Sequence, residues 1–324
     1  LFLARAFPPA PVIAAVRCWN MADQLRKHGW RLTVMTIEDE YWINAAEDER
    51  RVWRDAIESR TIECIRTGHH LRSLPGAMRR AWYEGPDWIG RGLRKAAHIA
   101  GIDSGIGWVP CLKERITSEL MQSVDIILAD GSPFSVFEFS RKLAMKTNRP
   151  YVLDFRDLWH CNPLRGRRSR PWEIASERRC VRDAAALITV SASTARTLKK
   201  IHNLERDVTV ISNGFSPSDF QNLPSMDLGP YALVYAGSLY PPKITLDPLL
   251  KALQLLCETD PSTPVRLHLF GKMGDEVKEA ADAMGIGHLV MNQVLVSRKR
   301  ALAAFRVARM GVVVTSIYPE ATDA

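Results

Sequence analysis

The segment from Pro150 to Pro163, PYVLDFRDLWHCNP, places three charged side chains directly after a short apolar run. The run Tyr151–Leu153 is typical of a buried strand, and Asp154, Arg156 and Asp157 follow it at once. Such a strand delivers its last residues to the carboxyl edge of an α/β sheet, where ligands bind. Unpaired charge is costly there, so these residues need partners. The segment alone leaves two interpretations open: a functional site, or an internal Asp–Arg pair that braces the loop.

Glycine and serine turns follow other apolar runs, and they could bind phosphate. Ser132 lies in such a turn in the first half of the chain, and Gly237, Ser238 and Gly271 lie in two more in the second half, with Lys243 nearby. A turn of this kind exposes backbone N–H groups that can hold a phosphate, and a lysine adds positive charge. A single glycine after a strand usually serves only to allow the chain to turn. The evidence for a phosphate site is therefore that several such turns all lie at strand ends.

The elements that must position these residues form two successive α/β series. Strand, loop, helix and strand follow one another within the first 36 residues, and strands alternate with helices again from about residue 124. A polar linker over 221–230 leads into the second series. We therefore predict two doubly wound domains, at 1–222 and 229–324, whose strand ends face a common cleft. The stretch from about 40 to 110 has no clear strand pattern and is interpreted as helical excursions.

Composition narrows the class of protein. The 324 residues include 44 Lys+Arg against 36 Asp+Glu, a net charge of +8 that suits phosphate-bearing ligands, nucleic acid or an anionic membrane. The aromatic–basic alternation of nucleic-acid modules is missing, so no nucleic-acid partner is predicted. The six cysteines form no C-x-x-C pair, which favours a reducing compartment. No apolar run reaches the roughly 18 residues of a membrane span. His69, His70 and His160 lack metal-ligand spacing and are interpreted as structural or surface residues.

Several motifs in fixed order resemble family 4 glycosyltransferases of the GT-B fold, in the bacterial branch that makes surface polysaccharides and lipid-linked sugars. The chain carries FPP near its start, then DIILADGSPFS, PYVLDFRDLW, VTVISNGFSPSDF and LVYAGSLY, the last followed by a basic residue. The resemblance covers most of the chain except about 40–105. It is most specific in DFRDLW, ISNG and AGSLY taken together.

The resemblance implies an α/β protein of the GT-B fold, with two Rossmann-like doubly wound domains. It implies retaining transfer of a sugar from a nucleotide-sugar donor to a lipid-linked or polysaccharide acceptor, with no cofactor and no metal. In the family the second domain holds the donor and the first holds the acceptor. A chain that stops at Ala324 would lack the glutamate-bearing donor segment of its relatives. The second domain is therefore expected to be incomplete.

The resemblance also implies roles for individual residues. Arg156 and Asp157 would be catalytic, in contact with the donor sugar or the acceptor hydroxyl. The donor-binding residues would be Gly237, Ser238, Lys243, Asn213 and Gly271. The acceptor-side residues would be Ser132, Asp154 and Arg17. The sequence departs from the family in two places: the loop after the first strand lacks glycines, and Lys243 stands alone where relatives have two cations.

A basic segment spans Arg165 to Arg182. It holds seven arginines against two glutamates, Glu173 and Glu177; Trp159 precedes the segment and Trp172 lies within it. One interpretation is a solvated face. The other is a patch for anionic lipid headgroups, with the protein cytoplasmic and peripheral at the inner face of the plasma membrane.

Two other functions stay open at this point. A nucleotide-sugar epimerase shares the two-domain architecture and would arrange carboxylates and a histidine around one sugar, without an acceptor groove. A non-catalytic GT-B relative would use the cleft only for binding. The glycine-poor first loop and the single lysine keep this last possibility open.

Overall fold

The computed structural model describes residues 1–10, 12–38, 47–69, 103, 105, 107–162, 168–241, 244–271, 274–293 and 296–314. The chain divides into two compact units, a first unit over Leu1–Gly214 and a second unit from Phe215 onward. The domain boundaries given above, 1–222 and 229–324, stay predictions.

A seven-stranded sheet forms the centre of the first unit, and every neighbouring pair of its strands is parallel. Its strands are β1 (Phe2–Leu3), β2 (Thr33–Ile37), β3 (Glu63–Thr67), β4 (Ile127–Gly131), β5 (Tyr151–Phe155), β6 (Ala186–Thr189) and β7 (Thr209–Val210). They lie in the order β3-β2-β1-β4-β5-β6-β7. The direction of winding therefore reverses between β1 and β4, and the crevice at such a reversal is where ligands bind in open α/β sheets.

Helices cover both faces of this sheet. They are α1 (Ile13–Lys27), α2 (Glu47–Ser59), α3 (Val109–Arg115), α4 (Ser118–Gln122), α5 (Ser135–Thr147), α6 (Pro171–Asp183) and α7 (Ala192–His202). Successive strand residues point to opposite faces, so Phe2 and Val34 join the apolar cluster that includes α1 residues, whereas Leu3 and Met35 join the cluster under α5 and α7. Each face of the sheet thus has its own core, as a doubly wound fold requires.

The stretch from 40 to 110, interpreted above as helical, contains more than helices. It supplies α2 but also the edge strand β3, whose residues Glu63–Arg66 are half-buried or exposed. Trp108 is fully buried, and its Nε1 donates a hydrogen bond to the Thr67 hydroxyl at 2.7 Å. Asp103 accepts from the Ser135 backbone N–H at 2.7 Å and so caps the start of α5. Trp82, Trp88 and His70 lie outside the described residues.

The second unit contains a four-stranded parallel sheet. Its elements are β8 (Tyr231–Ala236), α8 (Asp247–Thr259), β9 (Val265–Phe270), α9 (Gly274–Ala283), β10 (Val290–Asn292), α10 (Arg298–Val307) and β11 (Met310–Gly311), with 3₁₀ turns at Pro217–Phe220 and Gly287–Leu289. The strands lie in the order β10-β9-β8-β11. Leucines on one side of α8 pack on the alternating strand residues Leu267 and Leu269. Ser297 caps α10, as its position before the helix predicts.

These observations confirm the predicted α/β class with two doubly wound, Rossmann-like units. Among the described helices, none is both long enough and apolar enough to cross a membrane.

Candidate functional site

Two buried aspartates lie side by side at the carboxyl edge of the first unit's sheet. Asp130 near the end of β4 is the register partner of Asp154 on β5, and their exposed fractions are 0% and 1%. Two adjacent buried carboxylates repel each other and lose their hydration. Each is therefore matched by an arginine, and the two arginines come from different elements.

Arg17, on α1, holds Asp154 with two hydrogen bonds. Its Nε donates to one carboxylate oxygen at 2.9 Å and its Nη2 to the other at 2.8 Å. Its remaining nitrogen, Nη1, donates to the Ile211 carbonyl at 2.8 Å and to the Asn213 side-chain oxygen at 3.2 Å. One buried guanidinium thus ties α1, β5 and the segment after β7 together at the sheet edge.

Arg156, in the loop after β5, holds Asp130. Its Nε donates to Asp130 Oδ1 at 2.7 Å and its Nη2 donates to the Ser132 carbonyl at 3.0 Å. Its side chain is 15% exposed, so part of the guanidinium reaches solvent. Burial is the largest single influence and lowers the pKa of Arg156, but the combined effects of Asp130, Cys18 and Asp157 outweigh it, so the pKa is raised. Arg156 is thus a fixed cation with one side open.

Asp130 has an unusual environment for a carboxylate. Burial, with a contribution from the neighbouring Asp154, raises the pKa of Asp130 to about 7 against the opposing effect of Arg156. Its second oxygen, Oδ2, has no hydrogen-bond partner of normal geometry among the described residues, although the buried Cys18 thiol interacts with the carboxylate. A carboxyl group that titrates near neutrality next to a cation is a frequent feature of functional sites.

The structure brings several of the predicted residues together. Arg17, Asp154 and Asn213 form one hydrogen-bonded group, and Arg156 contacts Ser132. Asp157 is exposed beside Arg156 and adds to the raised pKa of that arginine. Their catalytic and acceptor-side roles stay predictions.

Asp130 was missed among the candidate residues. The signal for it was present in the sequence, since Asp130 directly follows the apolar run Ile126–Ala129 and precedes a Gly-Ser turn. Its arginine partner could not be deduced, because the pairing joins residues 26 positions apart in the chain.

The second unit places two of the predicted donor-side glycines in contact. The Gly237 backbone N–H donates to the Phe270 carbonyl at 3.0 Å, and a Cβ on Gly271 would lie 2.1 Å from the Gly237 carbonyl oxygen. Only glycine therefore fits at 271, and the ends of β8 and β9 meet backbone to backbone. A small cleft at this point is lined by Tyr235, Gly237, Leu239, Leu246, Leu269, Phe270, Gly271, Gly274 and Val277.

The start of α9 completes this edge. A Cβ on Gly274 would lie 2.1 Å from the Asn292 side-chain oxygen, so a larger residue there would displace the Asn292 side chain. Close backbone approach beside a helix N-terminus is how nucleotide-binding folds present N–H groups to phosphates. Ser238 is exposed, and its carbonyl accepts from the Tyr235 hydroxyl at 3.1 Å. Lys243 lies outside the described residues, and the donor-binding roles stay predictions.

Within the described parts of the chain, one cluster has the residue types to hold a metal ion: His160, Glu177 and His202. These residues come from a loop and two helices, which is why no local spacing reveals them. The expectation of metal-free chemistry concerns the donor site and stays a prediction.

Comparison with known proteins identifies the family. The family model described as "Glycosyl transferase 4-like domain" matches residues 14–214, more than half of the chain. This chain belongs to the glycosyl transferase 4-like family. The match contains all four members of the Asp–Arg edge: Arg17, Asp130, Asp154 and Arg156. A search of curated proteins gives no match.

Solved structures agree with the fold of this glycosyl transferase 4-like protein. Sucrose-phosphate synthase from Thermosynechococcus elongatus has a TM-score of 0.58 at 12% identity, over 96% of this chain and 74% of that one. Anabaena Alr3699/HepE in complex with UDP and glucose has a TM-score of 0.56 at 15% identity, over 98% and 74% of the two chains. At such identities the likeness shows the fold alone, and it confirms the predicted GT-B class with two Rossmann-like domains.

The Arg17–Asp154 pair should contribute strongly to stability. Arg17→Met leaves the Asp154 carboxylate buried without a partner, so we expect the free energy of unfolding to fall by about 3–5 kcal/mol. The double variant Arg17→Met/Asp154→Leu should recover most of that loss, because it removes the unpaired charge. Arg26→Met, on the more exposed side of the same helix, is the matched control and should change stability by about 0.5 kcal/mol or less.

Urea denaturation followed by circular dichroism measures all three variants. Equal losses for Arg17→Met and Arg26→Met, or no recovery in the double variant, would contradict this description of the pair.

Proposed function

We propose that this protein is a retaining glycosyltransferase that moves a sugar from a nucleotide-sugar donor to a lipid-linked or polysaccharide acceptor. The observation that carries the proposal is the Asp–Arg edge. Its four residues, Arg17, Asp130, Asp154 and Arg156, all lie within the region matched by the glycosyl transferase 4-like family model. A buried cation with one open side, held rigidly by two acceptors, suits recognition of a sugar hydroxyl or a developing negative charge.

The donor is proposed to bind the second unit. The glycine-lined edge of Gly237, Ser238 and Gly271 would present backbone N–H groups to the diphosphate, and Lys243 would neutralise the charge that develops on the leaving group. Uridine diphosphate sugars are the donor class to test first, because crystals of HepE hold UDP, UDP with glucose, or UDP-glucose. In this proposal the lysine serves in place of a metal ion.

The acceptor is proposed to bind the first unit. Arg156 and Asp157 would contact the donor sugar and the acceptor hydroxyl. Arg17 and Asp154 are buried against each other, so we assign them to shaping the acceptor side, with Ser132 anchoring Arg156. In this proposal the buried Arg17–Asp154 pair supports the site, and the partly exposed Arg156 contacts the substrates.

The basic segment supports a proposed contact with anionic membrane. Both of its glutamates, Glu173 and Glu177, are fully buried, so they do not offset the arginines at the surface. Arg178, Arg179 and Trp172 are exposed on α6, Trp172 to 51%. Arg165 and Arg167 lie outside the described residues. Each basic residue near an anionic bilayer contributes about 1 kcal/mol, and an exposed tryptophan suits the interface.

Lys243→Ala should weaken the binding of uridine diphosphate by about tenfold or more, since a charge-assisted hydrogen bond contributes about 1.5–3 kcal/mol. Lys251→Ala, at an exposed position on α8, is the control and should bind uridine diphosphate like the parent protein.

Calorimetry gives the affinities for uridine diphosphate. NMR of the products formed from UDP-sugars should show the sugar transferred or released with retained anomeric configuration. Unchanged affinity would overturn the donor site. An epimerised nucleotide sugar would favour the epimerase, and binding without turnover would favour a non-catalytic relative.

Removing the exposed arginines of α6 should weaken membrane binding. We expect Arg178→Ser/Arg179→Ser to reduce sedimentation with phosphatidylglycerol vesicles, and binding of the parent protein to fall as salt rises, because screening shortens the reach of surface charges. Lys299→Ser/Arg300→Ser removes two exposed charges from α10 and should bind vesicles like the parent. Equal losses in both double variants, or none in either, would leave α6 a solvated face.

A further inference from the structure

Three side chains of metal-ligating type meet in the first unit, each from a different element. His160 lies in the loop after β5, Glu177 in the middle of α6, and His202 at the end of α7. One ligand atom from each lies within 4.8 Å of the other two. The cluster has no part in the sugar-transfer chemistry proposed above.

Glu177 lies between the two imidazoles and contacts each of them with a different carboxylate oxygen. His160 Nδ1 is 2.5 Å from Glu177 Oε2, and His202 Nε2 is 3.1 Å from Glu177 Oε1. The backbone N–H of His160 also donates to Oε2 at 2.8 Å, which fixes the orientation of the carboxylate. The Glu177 side chain is fully buried, that of His202 is 2% exposed and that of His160 is 12% exposed. Of the three side chains, that of His160 is the most exposed.

We propose that His160, Glu177 and His202 form a binding site for a divalent transition metal, with zinc the ion that suits the donor set best. Two imidazoles and one carboxylate are the protein ligands of many zinc sites that keep a fourth position open. Bonds of about 2.0–2.2 Å in tetrahedral geometry put neighbouring ligand atoms roughly 3.3 Å apart. Both observed separations are shorter than that by less than an ångström, so the two imidazoles would have to move apart slightly to admit an ion held by the carboxylate.

Within the described part of the chain, the outer side of the His202 ring lacks the hydrogen-bond partner that metal-binding histidines usually have. Its Nδ1 is buried and has no hydrogen-bond partner among the described residues. The ring proton instead lies on Nε2, which faces the acceptor-only carboxylate of Glu177, and an entering ion would displace that proton to solvent. The missing outer partner has a cost, since such partners strengthen zinc binding by roughly 10–100-fold. We accordingly expect a site weaker than one with a complete outer shell.

A proton is the competitor for this site. Burial lowers the pKa of His160, but its hydrogen bonds with Cys161 and Glu177 outweigh that effect and raise it to about 10. Without an ion, the cluster is a His–Glu–His hydrogen-bonded triad. Zinc would replace the proton between His160 and Glu177 and would join the loop that carries Arg156 and Asp157 to α6 and α7.

Metal titration of the chelator-treated protein tests the proposal. We expect calorimetry to show one equivalent of Zn²⁺ bound per chain, Co²⁺ to give the visible absorption of a tetrahedral site, and Zn²⁺ to raise the melting temperature. Glu177→Gln and His160→Gln should each weaken Zn²⁺ binding by more than the roughly 10–100-fold that loss of an outer partner costs. His288→Gln, which removes an exposed histidine from the second unit, should bind like the parent.

Glu177→Gln alters a buried residue and could disturb folding, so His160→Gln, at a partly exposed loop position, is the decisive variant. If the parent binds no Zn²⁺ saturably, or if His160→Gln binds it as tightly as His288→Gln does, the cluster is a proton-held triad and the proposal is wrong. Because the readouts are metal affinity, absorption and melting temperature, the result does not depend on whether the protein transfers sugars.

Discussion

The adjacency of Asp130 and Asp154 at the ends of β4 and β5 is the constraint on which the first unit's site depends. Register places the two carboxylates on neighbouring strands, both without access to water. The arrangement is tolerated because Arg17 reaches in from α1 and Arg156 folds back from the loop after β5. The need to pair two buried charges thus determines where α1, the loop and the Asn213 segment lie relative to the sheet.

The two units present different polar groups at the carboxyl ends of their strands. The first unit uses paired charges, of which only Arg156 keeps a partly exposed side. The second unit uses close backbone contact between Gly271 and Gly237. Fixed side-chain charge suits selection among hydroxyl groups, and exposed backbone N–H groups suit a diphosphate. This division is consistent with an acceptor side in the first unit and a donor side in the second.

Much of this site could be predicted from the sequence, because its charges follow apolar runs that are typical of buried parallel strands. The DFRD segment and the Gly-Ser turns are such cases. The partners of these charges could not be predicted, since Arg17 meets Asp154 across 137 positions and His202 meets Glu177 across 25. Edge strand β3 was missed for a different reason: its half-exposed residues lack the apolar run by which central strands are recognised.

The central claim is that the Arg156–Asp130 pair is kept for ligand recognition and not only to brace the loop. The double variant Asp130→Leu/Arg156→Met tests it most directly, because replacing a buried ion pair by apolar residues of similar volume is often neutral or stabilising by about 1–4 kcal/mol. We predict stability close to that of the parent but turnover of the nucleotide sugar lower by about 100-fold or more, the usual effect of losing a positioned donor. A stable double variant that turns over its donor at the parent's rate would contradict the claim and leave the pair a structural brace.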